Sequence, residues 1–286
     1  DYGMVIVDEC HHVSSVSFEQ VLKQVNAHYV YGLTATPIRK DGHQPIIFMQ
    51  CGKIRYTADA KSQMDRQGFV RILIPRFTSF RNVSPDTKTY TQTIEALSTD
   101  KVRNNLIIED VKTVIAEGRT PIILTNLTSH VRILTELLQP HAMHVVSLVG
   151  ADSAKEKNMA MEKLDKIADS DSLVIIATGK YIGEGFDYPR LDTLFLALPI
   201  SWKGNIAQYA GRLHRDYDGK NEVRIYDYVD IRVPLCDSMY RKRLRGYASV
   251  GYGVPKPTGG NNVSKQELIY DGQTFSEPFR QDLLAA

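Results

Sequence analysis

Two adjacent carboxylates, Asp8 and Glu9, follow an apolar stretch at residues 4–7 that predicts a β-strand. In an open parallel sheet, ligands bind beyond the carboxyl ends of the strands. Asp8 there is a candidate for holding Mg²⁺ beside nucleotide phosphates, and Glu9 for deprotonating an attacking water. Taken alone, the pair is equally typical of a solvated turn. The neighbouring His11 and His12 lack the spacing of metal ligands.

Two hydroxyls stand at the end of the next predicted strand. Thr34 and Thr36 flank a small residue in the segment 32–37. Such hydroxyls can hydrogen-bond a neighbouring carboxylate or the backbone without filling much space. An ordinary turn explains the same residues, with Pro37 marking the end of the strand.

A glycine-rich segment follows the apolar stretch at residues 173–177. Gly179, Gly183 and Gly185 would let backbone N–H groups approach an anion closely. Asp187, just beyond, could accept hydrogen bonds from a ribose hydroxyl. A glycine-rich loop without a ligand is an equally good reading of this segment by itself.

Two arginines complete the candidate groups. Arg212 and Arg215 are three residues apart, so on a helix they share a face. Two guanidinium groups on one face can clamp developing phosphoryl charge. A surface helix with two solvated arginines is the simpler alternative. A later basic stretch, residues 241–245, fits a solvated helix face better than a set of phosphate contacts.

Predicted strands and helices alternate along the chain that carries these groups. Apolar runs predict strands at 4–7, 28–33, 121–124, 144–149, 173–177, 193–198 and 223–229, with helical spacing between most of them. This alternation predicts an α/β fold with a mostly parallel sheet flanked by helices. Residues 46–56 are predicted to be extended, and residues 57–100 to be mostly irregular.

Composition limits the class of protein. The chain has 286 residues, which suggests about two domains, and a formal charge of only +2, so a basic net charge does not argue for nucleic acid. No apolar run approaches a membrane span. The three cysteines form no CxxC pair, and a reducing cytoplasm fits best.

Together these segments resemble the motifs of superfamily 2 helicases, in the right order along residues 1–230. Asp8-Glu9-Cys10-His11 resembles the DExH form of motif II, and the threonine pair resembles motif III. Residues 121–126 occupy the place of motif IV, residues 178–187 resemble motif V, and residues 208–215 resemble motif VI. Within the superfamily, residues 32–39 followed by Asp41-Gly42 resemble the branch of type III restriction-enzyme motor subunits.

The resemblance implies two RecA-like lobes with ATP between them. It divides the chain into part of lobe one at residues 1–75, a linker at 76–100, a complete lobe two at 101–233 and an extension at 234–286. It implies a motor that uses ATP and Mg²⁺ and acts on nucleic acid, DNA more than RNA, without a membrane partner.

The resemblance also implies a role for each matched residue. Asp8 would hold Mg²⁺, Glu9 would be the catalytic base, and His11 would couple to Gln208. Motif V would contact the nucleotide. The threonines would couple the state of the nucleotide to nucleic-acid binding. The implied sets are catalytic Arg212 and Arg215, nucleotide-binding Gly183, Gly185 and Asp187, and coupling or nucleic-acid-contacting Thr34, Thr36, Thr125 and Thr178.

One expected part is not in the sequence. The family's phosphate-binding loop precedes motif II, only seven residues precede Asp8, and GxxxxGK[ST] does not occur. We therefore expect a fragment, with the remainder of lobe one upstream and negligible ATPase activity in this chain alone. A catalytically silent RecA-like module that binds nucleic acid or a partner is the alternative. A restriction-enzyme motor would need a nuclease constellation, which we do not find.

Overall fold

The computed structural model describes residues 2–8, 10, 16–34, 44–57, 68–81, 89–150, 153–183, 186–200, 203–255 and 268–269. The chain divides into two compact units, residues 1–59 and 60–286. In the described parts, no helix is long and apolar enough to cross a membrane.

The first unit is built on two parallel strands. Its elements are β1 (Tyr2–Val7), α1 (Val16–Gln24), β2 (Ala27–Gly32) and α2 (Gln44–Cys51). The strands pair from Tyr2 with Ala27 to Val7 with Gly32, so their carboxyl ends lie side by side. Val7, Cys10 and Ile47 form the buried apolar cluster of this unit.

The second unit contains a six-stranded parallel sheet. Its elements are β3 (Val70–Phe77), α3 (Tyr90–Thr99), α4 (Lys101–Ala116), β4 (Pro121–Thr125), α5 (Thr128–Leu138), β5 (His144–Leu148), α6 (Ala154–Asp165), β6 (Leu173–Thr178), α7 (Gly179–Gly183), β7 (Thr193–Leu196), α8 (Lys203–Leu213), β8 (Glu222–Val229), α9 (Pro234–Ser249), β9 (Val254–Pro255) and β10 (Leu268–Ile269). The strand order is β3-β8-β7-β4-β6-β5, and the short pair β9–β10 is antiparallel.

Apolar side chains cover both faces of this sheet. Every residue of β4 and of β6 is buried. Along β4, Ile122 and Leu124 pack into one core cluster and Ile123 into the other. Continuous apolar strands with helices on both faces are typical of parallel sheets. The predicted α/β fold with a parallel sheet flanked by helices is confirmed.

The division between the units lies earlier than the predicted boundary at residue 75. The reason is β3, which pairs with β8 along its full length from Val70 to Phe77 and is therefore an edge strand of the second sheet. The predicted linker at 76–100 contains α3, whose capping box joins Thr89 and Gln92. This Thr-x-x-Gln spacing is a helix-start signal in the sequence itself.

Two other expectations differ from the structure. Residues 44–51 form α2, whereas we expected 46–56 to be extended, because a short apolar run does not distinguish a helix from a strand. The basic stretch at 241–245 lies on α9, but its central residue is not solvated. Arg243 is 1% exposed and pairs with Asp227 of β8, with its Nε 2.8 Å from Oδ2.

Candidate active site

The carboxyl ends of β1 and β2 bring the first two motifs together. The backbone N–H of Leu33 donates to the Val7 carbonyl, and that of Cys10 donates to the Leu33 carbonyl, both at 2.9 Å. Asp8 is exposed at this edge, and Thr34 is half-buried beside it in the chain. An exposed carboxylate at a strand end suits Mg²⁺, which commonly takes one or two carboxylates with waters and phosphate oxygens. Among the described residues, no cluster of three or more His, Cys, Asp or Glu could hold a metal ion.

Two cysteines support the edge that carries Asp8. Cys10 is buried, and a Cβ added to Gly32 would lie 2.8 Å from its Sγ. The same point lies 3.0 Å from the Cβ of Cys51 on α2. The burial of Cys51 raises the pKa of its thiol, and a hydrogen bond with Cys10 opposes that shift. Only glycine at position 32 lets the end of β2 pass this close to Cys10 and Cys51.

At the second sheet, the end of β6 is joined to the end of β5. The hydroxyl oxygen of Thr178 accepts a 2.8 Å hydrogen bond from the backbone N–H of Gly150. Thr178 is 9% exposed. Because a threonine hydroxyl can also donate, this bond leaves the proton of Thr178 for another acceptor. The residue therefore remains suitable for a phosphate oxygen at this edge.

The threonine that ends β4 has a different environment. Thr125 is 1% exposed, and its hydroxyl lies 2.9 Å from Nδ1 of His130. Nε2 of His130 lies 3.0 Å from Oδ1 of Asn104, which can only accept, so Nε2 carries the proton and Thr125 donates to Nδ1. Burial, reinforced by nearby Arg103, lowers the pKa of His130 to about 3. Thr125 thus donates to a neutral histidine. Its hydroxyl proton is used in this buried hydrogen bond.

The structure brings motifs V and VI into direct contact. Nε of Arg215 donates to Oδ1 of Asp187 at 3.0 Å, and both side chains are about half exposed. Arg212 is half-buried, and its Nε is buried without a hydrogen-bond partner among the described residues. A buried guanidinium N–H without a partner is costly unless an acceptor meets it. The pair therefore offers one exposed and one sheltered guanidinium group.

The pattern of α8 explains how Arg212 is aimed. We predicted that Arg212 and Arg215 share a helix face, but α8 ends at Leu213, so Arg215 lies beyond the helix. Tyr209, Ala210 and Leu213 are buried in the core of the second unit. Gln208 and Arg212 are four residues apart, so they share the other face of the helix, and both are half-buried. Packing of the apolar face thus fixes which side chains α8 presents.

Sequence reasoning missed the residue between the two arginines. His214 packs against Phe69 and Tyr252, with both ring centroids 5.7 Å away, and its Nε2 lies 3.0 Å from the Tyr252 hydroxyl. Burial lowers its pKa to about 3, and the positive charges of Arg71 and Lys220 act in the same direction. The segment after α9 thereby holds motif VI in place. No local signal reveals this contact, because the two aromatic residues are distant in the chain.

One further predicted residue lies in a described helix. Gly183 ends α7. The remaining predicted residues, which lie outside the described part of the chain, are Glu9, His11, Thr36 and Gly185.

A close approach between motifs V and VI gives a stability prediction. A Cβ at Gly179 would lie 2.4 Å from the Tyr209 hydroxyl and 3.3 Å from its Cζ. Because Tyr209 is buried, Gly179→Ala should lower the free energy of unfolding by about 1–3 kcal/mol in chemical denaturation. Adding Tyr209→Phe, which removes the hydroxyl, should recover part of the loss. Gly211→Ala on α8 is the control, since nothing lies within 4 Å and alanine favours a helix by up to about 1 kcal/mol. Equal losses at both glycines would contradict the steric explanation.

Comparisons with known proteins relate this chain to a restriction-enzyme family and to viral helicases. Residues 1–39 match the family model for the type III restriction enzyme, res subunit. A putative ATP-dependent RNA helicase of Acanthamoeba polyphaga mimivirus is 23% identical over 96% of this chain and 52% of its own length. A putative helicase of Invertebrate iridescent virus 6 is 27% identical over 89% of this chain and 57% of its own. The chain thus spans about half the length of these relatives.

Solved structures share the fold. A fragment of a putative HsdR subunit of a type I restriction enzyme from Vibrio vulnificus aligns with a TM-score of 0.60 at 16% identity, covering 88% of this chain and 48% of its own. Yeast Dbp5 bound to RNA and ADP BeF₃ aligns with a TM-score of 0.57 at 12% identity, covering 88% and 59%. The ordered motifs, the family model over residues 1–39 and the viral relatives together support a similarity of this chain to superfamily 2 helicases, with a relationship to the res subunits of type III restriction enzymes.

Proposed function

We propose that this chain is part of a longer ATP-dependent helicase or translocase whose ATP hydrolysis is stimulated by nucleic acid. The observation that carries the proposal is the contact between Arg215 and Asp187, next to a buried and unpartnered Nε of Arg212. Guanidinium groups placed beside a ribose-binding carboxylate suit a nucleotide whose phosphates gain charge in the transition state.

Candidate groups for that reaction are described for each unit by itself. In the first unit, Asp8 would hold Mg²⁺, and Glu9 would accept the proton of the attacking water. The bound metal would neutralise charge on the phosphates. In the second unit, Asp187 would orient the ribose, while Arg212 and Arg215 would stabilise the charge that develops on the phosphoryl oxygens.

Nucleic acid would meet the threonines at the strand ends. Thr178 has a proton to donate after accepting from Gly150, which suits contact with a backbone phosphate. In the first unit, Thr34 follows the end of β2 and is a candidate for the same kind of contact. Such contacts are independent of sequence, as a motor that moves along its track requires.

We propose DNA as the track. The match of residues 1–39 to a restriction-enzyme subunit supports this choice. RNA is the second candidate, because the mimivirus relative is named as an RNA helicase. The catalytically silent module is the alternative from another class, and ATP turnover separates it from both.

We further propose that other residues of the longer protein cover the first unit. On β1, Met4 and Ile6 are 52% and 59% exposed, and their neighbours across the sheet, Tyr29 and Tyr31, are 55% and 43% exposed. Parallel sheets are normally covered on both faces. This apolar face of the two strands that the structure describes in the first unit suits a layer of helix from another part of the longer protein.

The test is an ATPase assay of the full-length protein with single-stranded DNA, duplex DNA and single-stranded RNA. We expect turnover to rise at least about 10-fold with DNA and less with RNA. Greater stimulation by RNA would favour the second candidate. Glu9→Gln should abolish the stimulated rate, because an amide cannot accept the proton. The 286-residue chain should show negligible turnover. A full-length protein without turnover on any nucleic acid would support the silent module.

A further inference from the structure

A tight turn places Lys220 where motifs V and VI contact each other. The backbone N–H of Lys220 donates to the Tyr217 carbonyl at 3.1 Å, which closes a four-residue turn after motif VI. Gly219 in this turn has φ of 76°, in the left-handed region that favours glycine. The turn directs the Lys220 side chain back toward the end of α8.

The ammonium group of Lys220 binds three backbone carbonyls from two segments. Its Nζ donates to the carbonyls of Leu213 at 3.2 Å and Arg215 at 2.8 Å, both at the end of motif VI. It also donates to the Pro189 carbonyl at 2.5 Å, two residues after Asp187. One side chain therefore ties the backbone that carries Asp187 to the backbone that carries Arg215.

The ion pair between Arg215 and Asp187 is too weak to set this register alone. Both side chains are about half exposed, and exposed ion pairs typically contribute about 0–1 kcal/mol. Lys220 is half-buried, so its hydrogen bonds are less screened by water. An ammonium group has three protons to donate, and three carbonyls accept them.

We propose that Lys220 is a positioning residue that holds motif V and motif VI in one register, so that Asp187 and Arg215 meet the same nucleotide. It acts through the backbone of both motifs and touches neither substrate nor metal. This inference rests on the proposed ATP hydrolysis for its effect on activity, and on the structure alone for its effect on the backbone.

The protonation of Lys220 supplies a signature of this role. Burial lowers its pKa to about 8, the carboxylates of Asp192 and Asp216 oppose the shift, and Arg119 adds to it. His214, which also faces the lysine, is neutral because its pKa is about 3. As the pH rises through 8, Lys220 loses its charge and one of its three donors. The positioning should weaken over the same range.

The activity test compares three variants of the full-length protein: Lys220→Met, Lys220→Arg and the control Lys155→Met, which removes an exposed lysine of α6. At pH 7, Lys220→Met should lower kcat of stimulated ATP hydrolysis by about 10- to 100-fold. The ratio of wild-type to Lys220→Met rates should fall toward one above pH 8, whereas a merely structural defect gives a constant ratio. Lys220→Arg keeps its charge, so its rate relative to the wild type should rise over the same range. The control should match the wild type throughout.

Hydrogen exchange of the same variants tests the inference without relying on activity. Lys220→Met should speed amide exchange at least about 10-fold in peptides covering residues 186–192 and 213–219, with β6 unchanged. Unchanged exchange in those two segments, or equally faster exchange throughout the second unit, would overturn the proposal. If the wild type shows no stimulated ATPase while the two segments loosen as expected, the proposed function fails and the role of Lys220 in the backbone stands.

Discussion

Replacing Arg212 by alanine in the full-length protein should lower kcat of nucleic-acid-stimulated ATP hydrolysis by about 10³-fold or more, with a smaller change in KM for ATP. The reason is that a guanidinium group aimed at a transferring phosphoryl group acts mainly on the transition state. Arg212 is half-buried, and its Nε has no partner among the described residues, so it is poised for an incoming acceptor. Steady-state kinetics with saturating DNA is the measurement.

Controls separate this effect from general damage to α8. Arg212→Lys should not restore the rate, because an ammonium group lacks the planar fork of the guanidinium. Arg215→Ala should cost less, about 10- to 100-fold, since its side chain is 52% exposed and its charge is screened by water. Arg132→Ala, an exposed arginine on α5, should leave kcat unchanged. An Arg212→Ala protein with more than about a tenth of the wild-type rate would remove Arg212 from the catalytic set.

The second large effect concerns stability. Arg243→Met should lower the free energy of unfolding of the second unit by about 3–5 kcal/mol, because it leaves the Asp227 carboxylate buried without its counter-charge. Two guanidinium nitrogens of Arg243 contact that carboxylate at 2.8 Å, and the Tyr247 hydroxyl donates to it at 2.8 Å. Asp227 and Arg243 are each 1% exposed. Chemical denaturation followed by circular dichroism is the measurement.

A second arginine on the same helix is the matched control. Arg241 is exposed and pairs with Asp237 one turn earlier, so Arg241→Met should cost no more than about 0.5 kcal/mol. Combining Arg243→Met with Asp227→Leu should recover part of the loss, since an apolar pair does not require a counter-charge. A loss of less than about 1 kcal/mol for Arg243→Met would contradict a stabilising role for the buried pair.

The buried pair also shows how the segment after residue 233 acts. We predicted it as a separate extension, but α9 packs against the second sheet through Arg243, and the chain beyond it returns to β3. There the backbone N–H of Leu73 donates to the Gly253 carbonyl at 2.8 Å. Tyr252, in the same segment, binds His214. Part of the predicted extension therefore packs against motif VI and stabilises its position.

Local sequence patterns were sufficient to predict the fold class, the order of the motifs and the candidate groups at the strand ends. These features are predictable because they are local: apolar strands, helical spacing and adjacent carboxylates are each visible within about ten residues. Asp8, Asp187, Arg212 and Arg215 are predicted as candidates from the same local patterns. Even the missed helix α3 carried a local signal in Thr89 and Gln92.

The distant residues that support those groups are evident only in the folded chain. β3 joins β8 across about 150 residues of chain, and Lys220 links Pro189 to Arg215 through carbonyls whose positions no residue type reveals. The burial of the basic stretch has the same kind of cause, since Arg243 is buried where Asp227 of β8 provides its counter-charge. Burial and pairing depend on what packs against a residue, and that is a property of the folded chain.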